Sequence, residues 1–470
     1  MSQPTKTVTM TLPKFRAQRG QITNFDADKA QSVCGGALQG HVVAPGDKSI
    51  SHRAMIFGAM ARGTTTVSGL LEGADIMSTA GAMRAFGADI VRAKDGVWSI
   101  KGRGDAGFKS PQNPVDCGNA GTGVRLIMGA AAGYPVTARY VGDASLSSRP
   151  MGRVTKPLSQ MGAKISSDNS NDRLPLTVIG TSNLTPISYA PPIASAQVKS
   201  AILLAALNAK GTSSITEAHM TRDHTENMLR AFGAKLEQIP NGDGQIVRLS
   251  GPQALSGCHV TVPGDPSSAA FLIVAALISP GSDIVIENVM MNPSRTGLFE
   301  TLVEMGGHII AGNFRISGGE VLADLHIKYS ALYGVDVPPR RAASMIDEYP
   351  VLAVAAAFAH GPTVMDGIGE LRVKESDRIS ATANLLSVIG ADVTELKDGL
   401  TVTGTGGKTL PGGAVVTTHH DHRIAMSALI AGLRCKAPVA IDDASMIATS
   451  FPNFFDLFTG LGAAMTQPTS

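Results

Sequence analysis

The chain runs to 470 residues, 43% apolar, 17% charged and only 4% aromatic, with 52 glycines, a profile of tightly turned α/β enzymes rather than of disordered or coiled-coil chains. Forty basic against 38 acidic side chains leave a formal net charge of +2, and there are one tryptophan and six tyrosines; a basic field and stacking platforms for nucleic acid are both lacking. Cys34, Cys117, Cys258 and Cys435 lie far apart with no CxxC pair, which argues against a zinc cluster or disulfide framework and suits a reducing cytoplasm.

At about 150 residues per domain, two or three domains are expected. Residues 1–37 read as an N-terminal extension: Lys6, Lys14, Arg16 and Arg19 precede the first acid, Asp26, but the apolar stretch of a secretion signal is missing. The longest apolar run, Ala269 to Ile278, is ten residues. About 20 are needed to span a bilayer, so a buried helix is expected there and no membrane partner.

From residue 86 onward one phrase recurs six times: a bulky apolar residue closing an amphipathic stretch, then Gly, then a small residue, then a β-type run. It appears at Phe86-Gly87-Ala88, Met161-Gly162-Ala163, Phe232-Gly233-Ala234, Met305-Gly306-Gly307, Ile389-Gly390-Ala391 and Leu461-Gly462-Ala463, with glycine spacings of 75, 71, 73, 84 and 72 residues. Each predicts a helix stopped by a left-handed glycine and followed by a strand. The third unit predicts the full pattern: strand 187–189, helix 195–207, strand 212–216, helix 223–232, then strands 235–238 and 246–249. Six units group as two domains of three. PGDPSS at 263–268 echoes PGDKSIS at 45–51, and the chain is expected to cross between domains near Val262-Pro263-Gly264. The expected division is residues 43–258 for one domain and 38–42 plus 262–470 for the other.

The starts of the first helices carry the chemistry. They read PGDKSISHR, CGNAGTGVR, ASAQVKS, PGDPSSAAF, SMIDEYP and HHDHRIA, at the repeat's own spacing. Helix N-termini favour anions, so these ends facing one cleft predict a site for a multiply anionic small molecule, although Asp and Ser there also serve as simple caps. GNAGTG has neither P-loop nor dinucleotide spacing. His419, His420 and His422 lack cysteine or clustered carboxylate companions and read as a capped, partly exposed helix start. The second helices begin with cations: SRPMGR, MTRDHTE, NPSRTG and LRVKESDR. Arginines suit bidentate phosphate and carboxylate binding, and an acid among them suits proton transfer.

Taken together and in order, PGDKSISHR, GNAGTG, SRPMGR, SAQVKSA, TRDHTE, MIDEYP, RVKESDR and DHRIAM resemble the EPSP synthase (3-phosphoshikimate 1-carboxyvinyltransferase) family, nearest to its class II branch, from about Leu38 to Leu461. The resemblance implies an inverse α/β two-domain fold of six βαβαββ units. It also implies transfer of the enolpyruvyl group of phosphoenolpyruvate to the 5-hydroxyl of shikimate 3-phosphate, with release of phosphate, in aromatic amino acid biosynthesis. No metal or organic cofactor is implied. A cytoplasmic monomer acting on two small molecules is expected.

Carried over by motif, the resemblance assigns Lys48, Ser49, Arg53, Ser195, Ala196, Gln197, Arg222, Asp347 and Lys374 to phosphoshikimate. It assigns Lys48, Gly121, Arg149, Gln197, Arg378 and Arg423 to phosphoenolpyruvate. Asp347 would handle the attacking hydroxyl's proton, and Glu375 would exchange a proton with the methylene carbon; Lys48 joins them as catalytic. Many relatives carry a lysine in a Lys-Thr-Phe-Pro sequence near the C-terminus; here Thr449 stands there. Gly121 lies where the family inhibitor glyphosate binds. The closest rival family, UDP-N-acetylglucosamine enolpyruvyl transferase, carries a cysteine before an Arg-Pro pair. Residues 142–150, ending in Arg149-Pro150, contain none. A non-catalytic anion-binding scaffold is the other alternative, opposed by the combination of Asp347, Lys374 and Glu375.

Overall fold

The glycines marked as helix stops all lie in the left-handed region, from φ +89° at Gly233 and Gly390 to +110° at Gly162. The residue after each returns its N–H to a carbonyl five positions back. Ala88 reaches Met83 O at 3.1 Å, and Ala463 reaches Phe458 O at 2.9 Å. The last turn's carbonyls are thereby satisfied, and a Cβ at the glycine would strain the backbone. The structure, a computed structural model, describes residues 29–168 and 172–467. The expected extension therefore lies mostly outside the described residues.

The third unit forms as its pattern predicts, with strand Ser188–Tyr189, helix Ala196–Ala206, strand Gly211–Glu217, helix His224–Ala231 and the hairpin Leu236–Asn241, Gly244–Gly251. Its sheet places 188–189 parallel to 211–217, which runs antiparallel to 244–251, which in turn pairs with 236–241. Six four-stranded sheets of this wiring occur among the described residues, with one two-stranded ribbon.

Two sheets exchange their outer strands. Gln39–Val43 pairs in parallel with Asp283–Met290, and His259–Thr261 with Thr64–Ser68. The chain thus passes from one half to the other twice, and the two passages clasp each other: Asp47 N donates to Pro263 O (2.7 Å) and Asp265 N to Pro45 O (2.8 Å). The sixth sheet has its own exchange. Gln31–Ser32, within the segment read as an extension, lies between Val439–Ile441 and Met465–Thr466, antiparallel to both.

Two hydrophobic cores result. One gathers residues between Ile50 and Val262, with Met290; the other gathers Ala30–Ala44 and residues from Ala269 to Met465. The first helix of each unit runs through its core. Pro266–Ile278 shows the extreme: every residue is buried, so its run lacks an amphipathic stripe, and each large side chain contributes roughly 1.5–3 kcal/mol by leaving water. The second helices lie outside these and bury one face, as Val154, Thr155, Pro157 and Leu158 do in Gly152–Gln160. Among the described residues no helix is long and apolar enough to cross a membrane.

Candidate active site

Four of the six first helices are capped by their own side chains. Asp47 accepts from Ile50 N, Ser195 from Val198 N, Asp265 from Ser267 N and Asp421 from Arg423 N. Of the two readings of these starts, simple capping is therefore seen at four, where a local carboxylate or hydroxyl takes one first-turn N–H. The helices at Gly121 and Tyr349 have no side-chain cap bond. Positive charge in the cleft therefore rests mainly on lysine and arginine side chains.

These side chains form one connected chain of contacts across both halves. Arg222, from the first half, donates to Asp347 of the second at 2.8 Å. Asp347 also accepts from Arg378 Nη1 (3.2 Å). Arg378 is 1% exposed, with Nη2 at 2.6 Å from Glu375 and Nε at 2.8 Å from Asp421. Burial works against its charge, but Glu375, Asp421 and Asp347 outweigh it and hold the guanidinium firmly protonated. Arg423 bonds Asp421 through its backbone N and approaches Glu348 at 3.5 Å through Nη1. Lys374 pairs with Glu370 (3.0 Å) and adds its charge to the field on Asp347.

The first half contributes the facing wall. Lys48 Nζ contacts Asp75 at 2.5 Å. Arg53 is buried, donating to Thr225 Oγ1 (2.8 Å), Ser200 Oγ (3.0 Å) and Ser49 O (2.9 Å), and burial lowers its pKa to about 10. Gln197 Nε2 donates to Thr122 Oγ1 (2.9 Å), tying the Ser195 helix start to the Gly121 helix start, while Ala196 O accepts from Ser200 (2.6 Å). Arg149 is held by Asn119 (2.8 Å) and Ser145 (3.1 Å). A Cβ on Gly121 would lie 3.0 Å from Arg149 Nη1 and 3.2 Å from Arg125 Nη1.

Electrostatics set the acids apart. Burial raises the affinity of Asp347 for a proton, but Arg423, Arg222, Lys374 and Arg378 together hold it well below the usual carboxylate range. Glu375 is opposed by burial too, yet Arg378, His422 and Arg149 bring it down to about 2. Arg149 belongs to the first half and Glu375 to the second, so the cleft walls feel each other's charge. Glu348 goes the other way: burial pushes it up, and Arg423 only partly compensates.

Some features escaped the motifs. Asp75, the partner of Lys48, starts the first unit's second helix, where later units place cations; aligning the repeats would have exposed this sign reversal. His422 is buried and burial drives its pKa to about 3, whereas His419 and His420 are exposed and His420 pairs with Asp443 (3.0 Å); the expected partly exposed start holds for His419 and His420 but not for His422. Thr449 turns its hydroxyl to Met446 O (2.7 Å), and its carbonyl lies 2.9 Å from where a Cβ on Gly73 would be. It brings no cation to the cleft. Asp223, His224 and Glu320 could together ligate a metal, but His224 bonds Glu320 (2.8 Å) and Asn292 bridges Asp223 and Glu320 (2.7 and 2.9 Å). They form a polar joint between the halves.

Six four-stranded sheets around two helical cores, two of them exchanging outer strands, with a cluster of cations between the halves, define an enolpyruvyl transferase fold. The enolpyruvyl transferase NikO from Streptomyces tendae, 17% identical, superposes with a TM-score of 0.73 over 93% of this chain and 98% of that one. EPSP synthase from Acinetobacter baumannii, 44% identical, reaches 0.86 over 93% of this chain and 99% of its own. A Caulobacter vibrioides 3-phosphoshikimate 1-carboxyvinyltransferase is 59% identical over 441 residues, covering 93% of this chain and 98% of the relative. The family model for EPSP synthase (3-phosphoshikimate 1-carboxyvinyltransferase) matches residues 34–458. The chain belongs to the EPSP synthase family, whose enolpyruvyl transfer from phosphoenolpyruvate to shikimate 3-phosphate is its reaction.

Proposed function

We propose that the connected chain Arg222–Asp347–Arg378–Glu375 is the catalytic centre of this reaction, flanked by two anion subsites. Lys48, Ser49, Arg53, Ser195, Ala196, Gln197, Arg222 and Lys374 take shikimate 3-phosphate. Lys48, Gly121, Arg149, Gln197, Arg378 and Arg423 take phosphoenolpyruvate. The observation that carries this reading is the ion pair of Arg222 with Asp347, which puts a phosphate-binding type of cation beside a part-buried acid from the opposite half.

Asp347 receives the proton of the attacking 5-hydroxyl. Glu375 delivers a proton to the methylene carbon of phosphoenolpyruvate, making the adjacent carbon electrophilic; the hydroxyl oxygen bonds to that carbon, and the C–O bond to phosphate then breaks as the new methyl group returns a proton to Glu375 and the hydroxyl's proton leaves with the phosphate. Arg378 has Nε, Nη1 and Nη2 all facing carboxylates, so it reaches phosphoenolpyruvate only as Glu375 or Asp347 shifts away. Lys48 is shared between Asp75 and the substrates. The enzyme works as a cytoplasmic monomer of two three-repeat domains, 43–258 and 38–42 plus 262–470, hinged at the clasp of Pro45–Asp47 with Pro263–Asp265.

A phosphate-release assay with each substrate omitted in turn tests the activity, and the variants test the centre. Glu375→Gln and Asp347→Asn each lose about 100- to 10,000-fold in kcat, the range of a positioned proton-transfer group. Near-normal turnover in the double variant would remove these roles.

A further inference from the structure

Glu348 follows Asp347 in sequence but points into a different environment. It is 1% exposed, and its helix, Tyr349–Ala357, takes no side-chain cap bond from it. Its Oε1 receives a short hydrogen bond from Ser267 Oγ and stands 3.5 Å from Arg423 Nη1, while its Oε2 is buried with no protein partner. Glu348 therefore joins the starts of the three inner helices of the second half: its own, the Ser267 helix and the Arg423 helix. Ser267 also accepts from Arg295 Nη2 (2.9 Å), and Arg295 bonds Asp265 (2.9 Å) and Asp47 (2.8 Å), the residue that caps the Lys48 helix.

Among the described residues Glu348 is the one carboxylate within ion-pair distance of the Arg423 guanidinium. Arg222 and Arg378, by contrast, are clamped onto acids at 2.8 and 2.6 Å. A loose, one-sided hold leaves the other N–H groups of Arg423 available to an anion. It also restrains Arg423 from Asp347, on which it already exerts the largest charge effect. Freed of Glu348, the guanidinium would close onto Asp347 and be lost to the substrate.

We propose that Glu348 is a positioning residue that holds Arg423 in place for the anionic groups of phosphoenolpyruvate. This rests on the placement of Arg423 in the phosphoenolpyruvate subsite. Burial favours the neutral acid at Glu348, so its role is geometric and a glutamine can perform it.

Steady-state kinetics on Glu348→Ala, Glu348→Gln, Ser267→Ala and Arg423→Ala test this. Glu348→Ala raises KM for phosphoenolpyruvate about 5- to 30-fold, as the guanidinium loses its one polar restraint and the subsite its fixed cation. KM for shikimate 3-phosphate stays within about twofold, and Glu348→Gln restores the phosphoenolpyruvate KM to within about threefold, since the amide keeps the same reach. Ser267→Ala gives a smaller rise of the same selectivity and decides the matter if Glu348→Ala does not fold. An unchanged phosphoenolpyruvate KM in both Glu348→Ala and Ser267→Ala, or equal rises for both substrates, with Arg423→Ala impaired for phosphoenolpyruvate, would overturn the role of Glu348. A normal phosphoenolpyruvate KM in Arg423→Ala would instead overturn the subsite assignment and this inference with it.

Discussion

Replacing Gly121 by alanine is the most local perturbation of the phosphoenolpyruvate side that the structure allows. Gly121 is the first residue of its helix, and its backbone is not in the left-handed region, so alanine costs nothing in conformation and gains up to about 1 kcal/mol of helix propensity. The new methyl meets Arg149 Nη1 at 3.0 Å, Arg125 Nη1 at 3.2 Å and Leu146 Cδ1 at 3.7 Å. Arg125 is fixed by the carbonyls of Gly121 (3.0 Å) and Pro150 (3.3 Å). The group that yields is therefore the tip of Arg149, which must slide a few tenths of an ångström against Asn119 and Ser145. Overpacking of this kind costs about 1–3 kcal/mol, and here the cost falls on whatever Arg149 binds. The inhibition constant of glyphosate, measured against phosphoenolpyruvate at saturating shikimate 3-phosphate, should rise about 5- to 150-fold. KM for phosphoenolpyruvate should rise by no more than that, with thermal stability unchanged. An unaltered inhibition constant in a correctly folded variant would show that Gly121 does not border the inhibitor.

Lys199 is fully buried between Glu217 (2.8 Å) and Glu226 (2.7 Å); Lys199→Met strands both acids and should cost about 3–5 kcal/mol in urea unfolding, and a loss below 1 kcal/mol would mean the acids are protonated or rehydrated. His52 is buried against Thr79 (2.8 Å), and burial, with Lys48 and Arg53 nearby and only partly offset by Asp75 and Asp47, lowers its pKa from 6.5 to about 3. The unfolded chain takes up that proton first, so stability is lost as pH falls below 6.5 and this loss stops near 3; His52→Gln should flatten the slope between pH 6 and 4.5 by about 1.4 kcal/mol per pH unit. Two cores joined by two clasped passages predict hinge closure on the substrates, seen as a smaller radius of gyration in small-angle scattering with both substrates present; equal values with and without them would exclude it.

Much of this architecture was legible because its signals are local. The phrase around Gly87, Gly162, Gly233, Gly306, Gly390 and Gly462 specifies a stop that only a left-handed residue makes cheaply, and six copies specify a repeat. The candidate site was legible as motifs, since Lys48, Arg149, Arg222, Asp347, Glu375 and Arg423 each sit at a helix start or within three residues before one. The use of Gln31–Ser32 as a strand was not, because two residues carry no period and their partners lie more than 400 positions away. Asp75 was hidden by a related cause: an acid at a helix start reads as a helix-dipole partner until the fold places it against Lys48. The capping of four anion-ready helices was legible only as one of two readings, since Asp and Ser have the same spacing whether they bind their own backbone or frame a ligand.

The charge pattern then links binding to chemistry. Asp347 and Glu375 are held ionised by Arg423, Arg222, Lys374, Arg378 and Arg149, the same cations assigned to the phosphates and carboxylates of the two substrates. An acid fixed near pKa 2 is a poor proton carrier at neutral pH, because it can neither keep a proton to give nor take one strongly. Each anion that binds draws part of the cations' field onto itself, and in a closed cleft that field is weakly screened. The proton affinity of both acids should therefore rise with each anion that binds, and most when both phosphorylated molecules are in place. On the proposed roles, the cations that recruit the substrates would thus also hold back proton transfer most strongly before the second one arrives, which would limit futile protonation of phosphoenolpyruvate in the absence of its acceptor.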